Sequence, residues 1–433
     1  MDGAFTHDVA VVGGGPAGAA AGAWLAQRGK RVVILEREQF PRFSIGESLL
    51  PHGNDLLRQI GVWQKLEAAG FLRKFGAEFC TADKRRMRRF WFGRNLGPTH
   101  EYSFQVERAK FDHVLLEHAR ESGCEVLQPA RGVSLETDRD GVRLEYEKAA
   151  AAGESAPVRG VLRARWLLDA SGRGAFAANR LGIPREATQP TRRVAVYGHF
   201  RGVFRNEGKA EGHITIVRSR EGWFWMIPLA GGITSVGLVV PVGVVSEGGD
   251  PRAVFEAAVE AAPEVRDRMR EAEPVGGLRS TGDYSWRHAS FATERVVLVG
   301  DAAGFVDPIF SSGVMLALKS ALRASELLVR ACSAGRCLEP GERMAYTREV
   351  SSWMREYTRM IGAFYDRAGF EVFMTPSEFF QIPASIGRLV GGFARPGLAD
   401  RMRLEAFYLL CRVQKFLSLV PAIEWSREAR TGH

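Results

Sequence analysis

The stretch from His7 to Glu36, HDVAVVGGGPAGAAAGAWLAQRGKRVVILE, leaves this chain few choices of fold. Residues 9–12 are a short, mostly β-branched apolar run of the kind that forms a buried strand. Residues 13–18, GGGPAG, make a turn, residues 19–27 an alanine-rich helix stopped by Gly29, and residues 31–35 a second buried strand that ends on an acid. In a βαβ unit each part has a physical role. Gly13 makes the tight turn, Gly15 lets the backbone approach a pyrophosphate, and Gly18 lets the helix lie close to the strand. The helix start, with Ala17 in its first turn, offers unpaired N–H groups and a positive dipole end to phosphates. Glu36 is placed to accept hydrogen bonds from a ribose. Because this G-x-G-x-x-G follows a strand, opens a helix and precedes an acid, it predicts dinucleotide binding. A glycine-rich turn without a ligand would not require the acid.

A length of 433 residues accommodates one large α/β domain with a second sheet, or two domains. No run reaches the roughly 18 to 20 unbroken apolar residues of a membrane span, so no transmembrane segment is expected. The chain enters its first strand almost at once, with no basic n-region and apolar h-region, so no cleaved signal peptide is expected. Cys80, Cys124, Cys332, Cys337 and Cys411 are scattered and lack metal-ligand spacing. They fit reduced thiols of a cytoplasmic enzyme with no metal site. The 59 Lys and Arg against 50 Asp and Glu leave a net charge of +9, with a basic run over residues 84–89. No nucleic-acid recognition motif accompanies it, so it predicts a solvated basic surface, or one suited to an acidic protein partner.

Beyond Glu36, prolines 41 and 51 and Gly46 punctuate a loop before a helix that starts near residue 54. Strand-like text runs through residues 75–92 and 102–106, and helical spacing through 111–122. Residues 131–165 alternate polar and apolar and predict a β-meander, with an exposed alanine-rich loop at 149–157. Residues 166–172, WLLDASG, form a buried strand entering a small-residue turn suited to backbone contact with a cofactor, which places Asp169 at the nucleotide site. Three or four strands are expected in 193–243, a charged helix or pair of helices in 251–272, and a strand at 296–299. A long helix is expected over 313–331, and the last hundred residues are mainly helical and rich in aromatics, including Phe364, Tyr365, Phe370, Phe373, Phe379 and Phe380. The expected class is α/β: a Rossmann-like nucleotide-binding part, a second antiparallel sheet lobe and a helical C-terminal region. The nucleotide part would take about 5–80, 105–185 and 275–330, the sheet lobe about 80–104 and 186–274, and the helical region, which would shape the substrate pocket, 331–433.

With these stretches located, the chain resembles the flavoprotein monooxygenase superfamily, and the resemblance spans most of residues 5–330. Gly13, Gly15, Gly18 and Glu36 match its first FAD fingerprint. Arg108, in R-x-x-F-D, matches the arginine that approaches the pyrophosphate. Gly300-Asp301 matches the second fingerprint, whose Asp binds the ribityl or ribose region. Within that superfamily the chain is similar to flavin-dependent halogenases. Trp223-Phe224-Trp225-Met226-Ile227-Pro228 matches W-x-W-x-I-P. Phe40-Pro41-Arg42 followed by residues 46–51, GESLLP, matches the loop of halogenases acting on phenols, pyrroles or carrier-bound substrates, with Arg42 and Ser48 expected at the cofactor. Residues 300–314, GDAAGFVDPIFSSGV, match the same subgroup nearly throughout.

The resemblance implies that reduced FAD and O2 give a flavin hydroperoxide, which oxidises chloride or bromide to hypohalous acid. Backbone N–H groups ahead of the helix near Val314 would hold the halide, at Ser311, Ser312 and Gly313. Gly313 would also lie against the flavin, and Asp307 would shape the loop. By position Lys74 matches the lysine that steers the oxidant, whereas the rival Lys65 falls on a solvated helix face. Trp223 and Trp225 would screen the flavin, although an i, i+2 pair on a strand also fits ordinary core packing. Glu47 is either a structural loop carboxylate or flavin-proximal. Met315 departs from the family, which often has His there. A single G-x-G-x-x-G implies a separate flavin reductase, or freely diffusing FADH2. The implied substrate is a small phenol or pyrrole, free or on an acyl or peptidyl carrier protein, rather than free tryptophan. A hydroxylase, an isoprenoid-type reductase and a non-catalytic flavin-binding protein are the alternatives.

Overall fold

The computed structural model describes residues 5–148, 158–189, 191–245, 249–282, 285–375, 381–393 and 397–424. The 149–157 loop, Phe379 and Phe380 lie outside these described residues.

Strand His7–Val12 is buried over its last four residues and lies at the middle of a seven-stranded sheet. It pairs in parallel with Val32–Leu35 on one side and with the end of Val158–Asp169 on the other. Glu125–Leu127 and Val296–Leu298 extend the parallel part outward. Continuous apolar runs suit these strands because both faces of a parallel sheet are covered. Helix Pro16–Ala26 starts on a proline, whose missing N–H costs nothing at that position. Its alanines and glycines let it pack closely on the sheet and against helices Arg108–Glu121 and Gly313–Ser333. The long strand Val158–Asp169 serves two neighbourhoods. Its first half runs antiparallel to Val142–Lys148, which pairs with Ala130–Thr137. The meander expected over 131–165 is therefore continuous with the nucleotide sheet.

A second seven-stranded sheet has the order Glu273–Gly282, Arg193–Arg201, Thr234–Pro241, Trp223–Pro228, Ile214–Arg218, Gly76–Thr81, Met87–Trp91. Four of these strands fall within 193–243. Ile214–Arg218 and Gly76–Thr81 pair in parallel, whereas the other neighbours are antiparallel. The sheet begins at residue 76 and runs to 282, slightly outside the 80–104 and 186–274 limits expected from local turn signals, because non-local pairing sets its edges. Alternation along Trp223–Pro228 gives the sheet two faces. Phe224 and Met226 pack beneath the helices Pro251–Glu260 and Pro263–Arg268, whereas Trp223, Trp225 and Ile227 face the main core.

The C-terminal region is helical: Pro340–Tyr365, Arg367–Met374, Ile382–Val390 and Leu398–Val413 follow the long helix Gly313–Ser333. Phe364, Phe370 and Phe373 form a closed aromatic cluster with Phe79, Phe90 and Phe310. This cluster ties the C-terminal helices to the second sheet and to the loop before helix Gly313–Ser333.

Candidate active site

The turn after the first strand is shaped by close approach. Gly13 has φ +103°, and a Cβ there would lie 2.3 Å from the Ala170 carbonyl oxygen. A Cβ on Gly18 would lie 1.9 Å from the Gly13 oxygen. Gly15 is different: it caps helix Pro16–Ala26, and a Cβ there would meet only Arg42 Nη2, at 3.5 Å. Its backbone faces open space rather than packed protein. Glu36 is buried, with Oε2 accepting the Gly14 N–H at 2.7 Å and Oε1 accepting that of Glu38 at 2.9 Å. The acid expected at a ribose thus also braces the turn.

Two arginines converge on one carboxylate beside this turn. Arg108 forks onto Asp112 at 2.8 and 2.9 Å, and Arg42 Nη1 donates to the same residue at 2.9 Å. Burial works against the Arg108 charge, but Asp112 outweighs it and the guanidinium pKa is raised. Asp112 was not singled out from the sequence, although its i, i+4 spacing from Arg108 within R-x-x-F-D was the signal. Asp169 lies behind the wall, its oxygens accepting the Ser171 N–H at 3.0 Å and the Ala177 N–H at 2.7 Å, and burial raises its pKa. It shapes the turn over 170–174 rather than presenting its own carboxylate. Gly300, at φ +56°, brings the following turn against Ala17 and Ala317. Asp301 lines the cavity, its pKa pushed up to about 6 by burial against the opposing pull of Arg173 and Arg108.

These elements enclose one large cavity of about 1010 Å³, at the upper end of the roughly 300–1,000 Å³ typical of ligand pockets. Gly13, Gly15, Ala17, Glu36, Arg42 and Arg108 wall its nucleotide end. Trp223, Trp225, Ile227, Ser311 and Gly313 wall the other, with Glu47 and Ser48 on the intervening loop. The two indoles lie 6.0 Å apart. Each ring nitrogen is anchored, Trp223 Nε1 to the Tyr365 hydroxyl at 2.7 Å and Trp225 Nε1 to Ser235 Oγ at 3.2 Å. Trp225 also occupies the space over Gly237, where a Cβ would stand 2.2 Å from the ring.

The loop expected to hold halide is capped by Asp307, which is buried and accepts the Ile309 N–H at 3.2 Å. Ser311 is left-handed, at φ +56°, and turns the chain into helix Gly313–Ser333. Ser312 is fully buried, yet its Oγ caps nothing and has no partner. A Cβ on Gly313 would meet nothing within 4 Å. The first N–H groups of a 21-residue helix therefore open toward the cavity beside an unpaired hydroxyl, which suits a small anion. Met315 is buried against the helix Pro51–Gln59.

Lys74, on strand Leu72–Lys74, is buried immediately behind the cavity wall. Its Nζ donates to Ser48 Oγ at 2.8 Å and to the Leu49 carbonyl at 3.0 Å, and lies 5.3 Å from the Phe92 ring centre. Burial among neutral groups lowers its pKa to about 7. Lys65 is exposed and paired with Glu121. Glu47 is buried, with Oε1 accepting from His199 Nε2 at 2.6 Å and Oε2 unpartnered. His199 carried no signal in the sequence and Tyr365 only that of one aromatic among several, because they reach the site through the second sheet and a C-terminal helix.

Among the described residues, no His, Cys, Asp and Glu cluster could hold a metal ion, and no helix is long and apolar enough to cross a membrane.

A Rossmann-like sheet, a glycine turn opening a helix and a cavity that continues past both define a dinucleotide-binding protein. Residues 6–336 match the FAD binding domain family. The chain is 32% identical over 348 residues to a 1H-pyrrole-2-carbonyl-[peptidyl-carrier protein] chlorinase of Pseudomonas fluorescens, covering 75% of this chain and 76% of that protein. The solved structure of the flavin-dependent brominase Bmp2 superposes with a TM-score of 0.81 at 27% identity, over 94% of this chain and 100% of that one. A flavoprotein/dehydrogenase from Cytophaga hutchinsonii superposes with a TM-score of 0.84 at 26% identity, over 94% and 99%. The chain belongs to the flavin-dependent halogenases. The last likeness shows that fold alone does not separate halogenation from other flavin chemistry, so the residues at the far end of the cavity carry that distinction.

Proposed function

We propose that this protein uses FADH2, O2 and chloride or bromide to halogenate an electron-rich aromatic ring, a phenol or pyrrole held free or on a carrier protein. The observation that carries this reading is Lys74: a buried amine with a pKa near 7, bonded to Ser48 of the wall of the cavity that the two indoles, Ser311 and Gly313 also line.

Gly13, Gly15, Ala17 and Gly18 give the pyrophosphate its turn and helix start, with Arg42 and Arg108 supplying charge from their shared anchor Asp112. Glu36 takes the ribose, while Asp301, Ser48 and Gly313 complete the flavin's bed, with Gly300 turning the chain there and Asp169 bracing the 170–174 turn from behind. When bound, reduced FAD supplies with O2 the two-electron oxidation of halide. The protein's own contribution is placement. Ser312 and Gly313 hold the halide on backbone N–H groups and a hydroxyl, beside Ser311, whose own N–H donates to the Pro308 carbonyl at 2.8 Å and closes the turn instead. Trp223 and Trp225 wall off the flavin so that the organic substrate does not meet it directly. Lys74, unprotonated in a large fraction at neutral pH, takes the halogen from hypohalous acid through its free amine, the halogen–oxygen bond breaking and water leaving, and then hands it to the ring, whose proton returns to the nitrogen. The ring loses a proton as the carbon–halogen bond forms.

A separate reductase supplies FADH2, a reading that rests on the single nucleotide fingerprint. The five cysteines, all free, fit a reducing cytoplasm. A net charge of +9 suits an acidic carrier protein through electrostatic steering, and the Pseudomonas relative is named for a carrier-bound pyrrole. Incubation with FADH2, O2, halide and a panel of phenols and pyrroles, read by mass spectrometry, tests the proposal. Halogenated product is expected; hydroxylated product alone would refute it.

A further inference from the structure

Tyr365 closes the helix Pro340–Tyr365, 58 positions beyond Asp307 in the chain. Its hydroxyl works in both directions, accepting from Trp223 Nε1 at 2.7 Å and donating to Asp307 Oδ2 at 2.8 Å. The other Asp307 oxygen caps the turn Pro308–Phe310, which leads into the left-handed Ser311. An unbroken hydrogen-bonded path thus runs from the indole screening the cavity to the loop that opens helix Gly313–Ser333. Tyr365 itself is held independently of that path. The Arg193 guanidinium lies 3.6 Å over its ring, and its carbonyl accepts from Arg218 Nη2 at 2.7 Å.

We propose that Tyr365 is a positioning residue that sets halide affinity, by locking Asp307, and with it the loop over 307–313, to the Trp223 wall. The proposal rests on the reading of Ser312 and Gly313, presented by the turn at Ser311, as the halide site. Backbone N–H groups bind an anion well only when several point at one spot, so a loop free to shift by a fraction of an ångström loses affinity. Burial, and then Asp307, push the Tyr365 hydroxyl well above its ordinary pKa, so it remains a donor at every working pH. Removing that hydroxyl leaves a buried indole N–H and a buried carboxylate oxygen without their partner, and the loop must move to find replacements.

Tyr365→Phe, Asp307→Asn and the double variant test this, with three readouts. Halide binding is followed by its effect on the fluorescence of bound FAD, FAD binding by direct titration, and turnover as a function of halide concentration. The expected result for Tyr365→Phe is a halide Kd raised about tenfold with FAD affinity unchanged, and a rise in halide KM larger than the fall in kcat. The double variant should be no worse than the poorer single one, because both break the same link. An unchanged halide Kd in Tyr365→Phe, or additive losses in the double variant, would overturn this inference alone. A wild-type protein whose flavin does not respond to halide would overturn the halide-site reading, and the inference with it.

Discussion

At the nucleotide end of the cavity the turn is backbone, and each charged side chain beside it has a fixed partner. Gly13 and Gly18 are pressed against neighbouring carbonyls, Glu36 spans two N–H groups, and Asp112 anchors both Arg42 and Arg108, leaving one positive charge in excess. Toward the other end the wall is side chain, and polar groups on the intervening loop and behind the wall are left short. Lys74 is bonded to two neutral oxygens, while Ser312 Oγ and one oxygen of Glu47 have no partner. A site that holds one fixed dianion is best served by rigid, satisfied geometry. A site that must take up halide and release an oxidised halogen needs groups with capacity to spare. On the proposed function, the difference separates binding from chemistry within one cavity.

The largest effect should come from the chemical end. Lys74→Ala is expected to lower halogenation on the order of 10²–10⁴-fold while FAD binding and halide-dependent oxidant release persist, measured by mass spectrometry beside an oxidant trap. Retained product formation would remove the distinction between the two ends. At the binding end, Gly13→Ala combines an unfavourable positive φ with a contact at 2.3 Å. FAD affinity should fall at least about tenfold, read by flavin titration, with any surviving turnover recovered at high FADH2.

The pH dependence sharpens the contrast. Lys74 titrates near 7, so halogenation limited by its free amine should rise about tenfold per pH unit below 7 and level off above it. Its effect on stability has a definite sign. Between 7 and the ordinary 10.5 the unfolded chain holds a proton that the folded protein lacks. The contribution is therefore complete above 10.5, declines as pH falls through that window and is flat below 7. Denaturant midpoints should show this slope in the native protein and lose it in Lys74→Met. The smallest effect belongs to Lys65→Ala. That lysine is exposed and paired with Glu121, so stability should change by less than about 1 kcal/mol and turnover should stay at wild-type level.

Much of the nucleotide end was legible in residues 7–36, because a strand, a turn and a helix in succession make their own geometry. Gly13, Gly15 and Gly18 each stand where local sequence places them. Asp169 shows the limit of such reasoning: its position after a buried strand was visible, but only the fold shows it satisfied by Ser171 and Ala177 behind the wall. The Trp223 and Trp225 motif was equally visible, whereas their anchors, Tyr365 and Ser235, were not.

By itself, then, the sequence determined the phosphate turn, the alternation that puts both indoles on one face, and the glycine and serines ahead of the long helix. Each of these depends on neighbours a few residues apart, where backbone preference and side-chain period decide the outcome. Tertiary structure alone decided that Lys74 meets Ser48, that Glu47 meets His199, and that Tyr365 joins Trp223 to Asp307. Those contacts cross between separate sheets and helices. Their burial, and the lowered pKa of Lys74 that follows from it, exists only once distant segments have excluded water together.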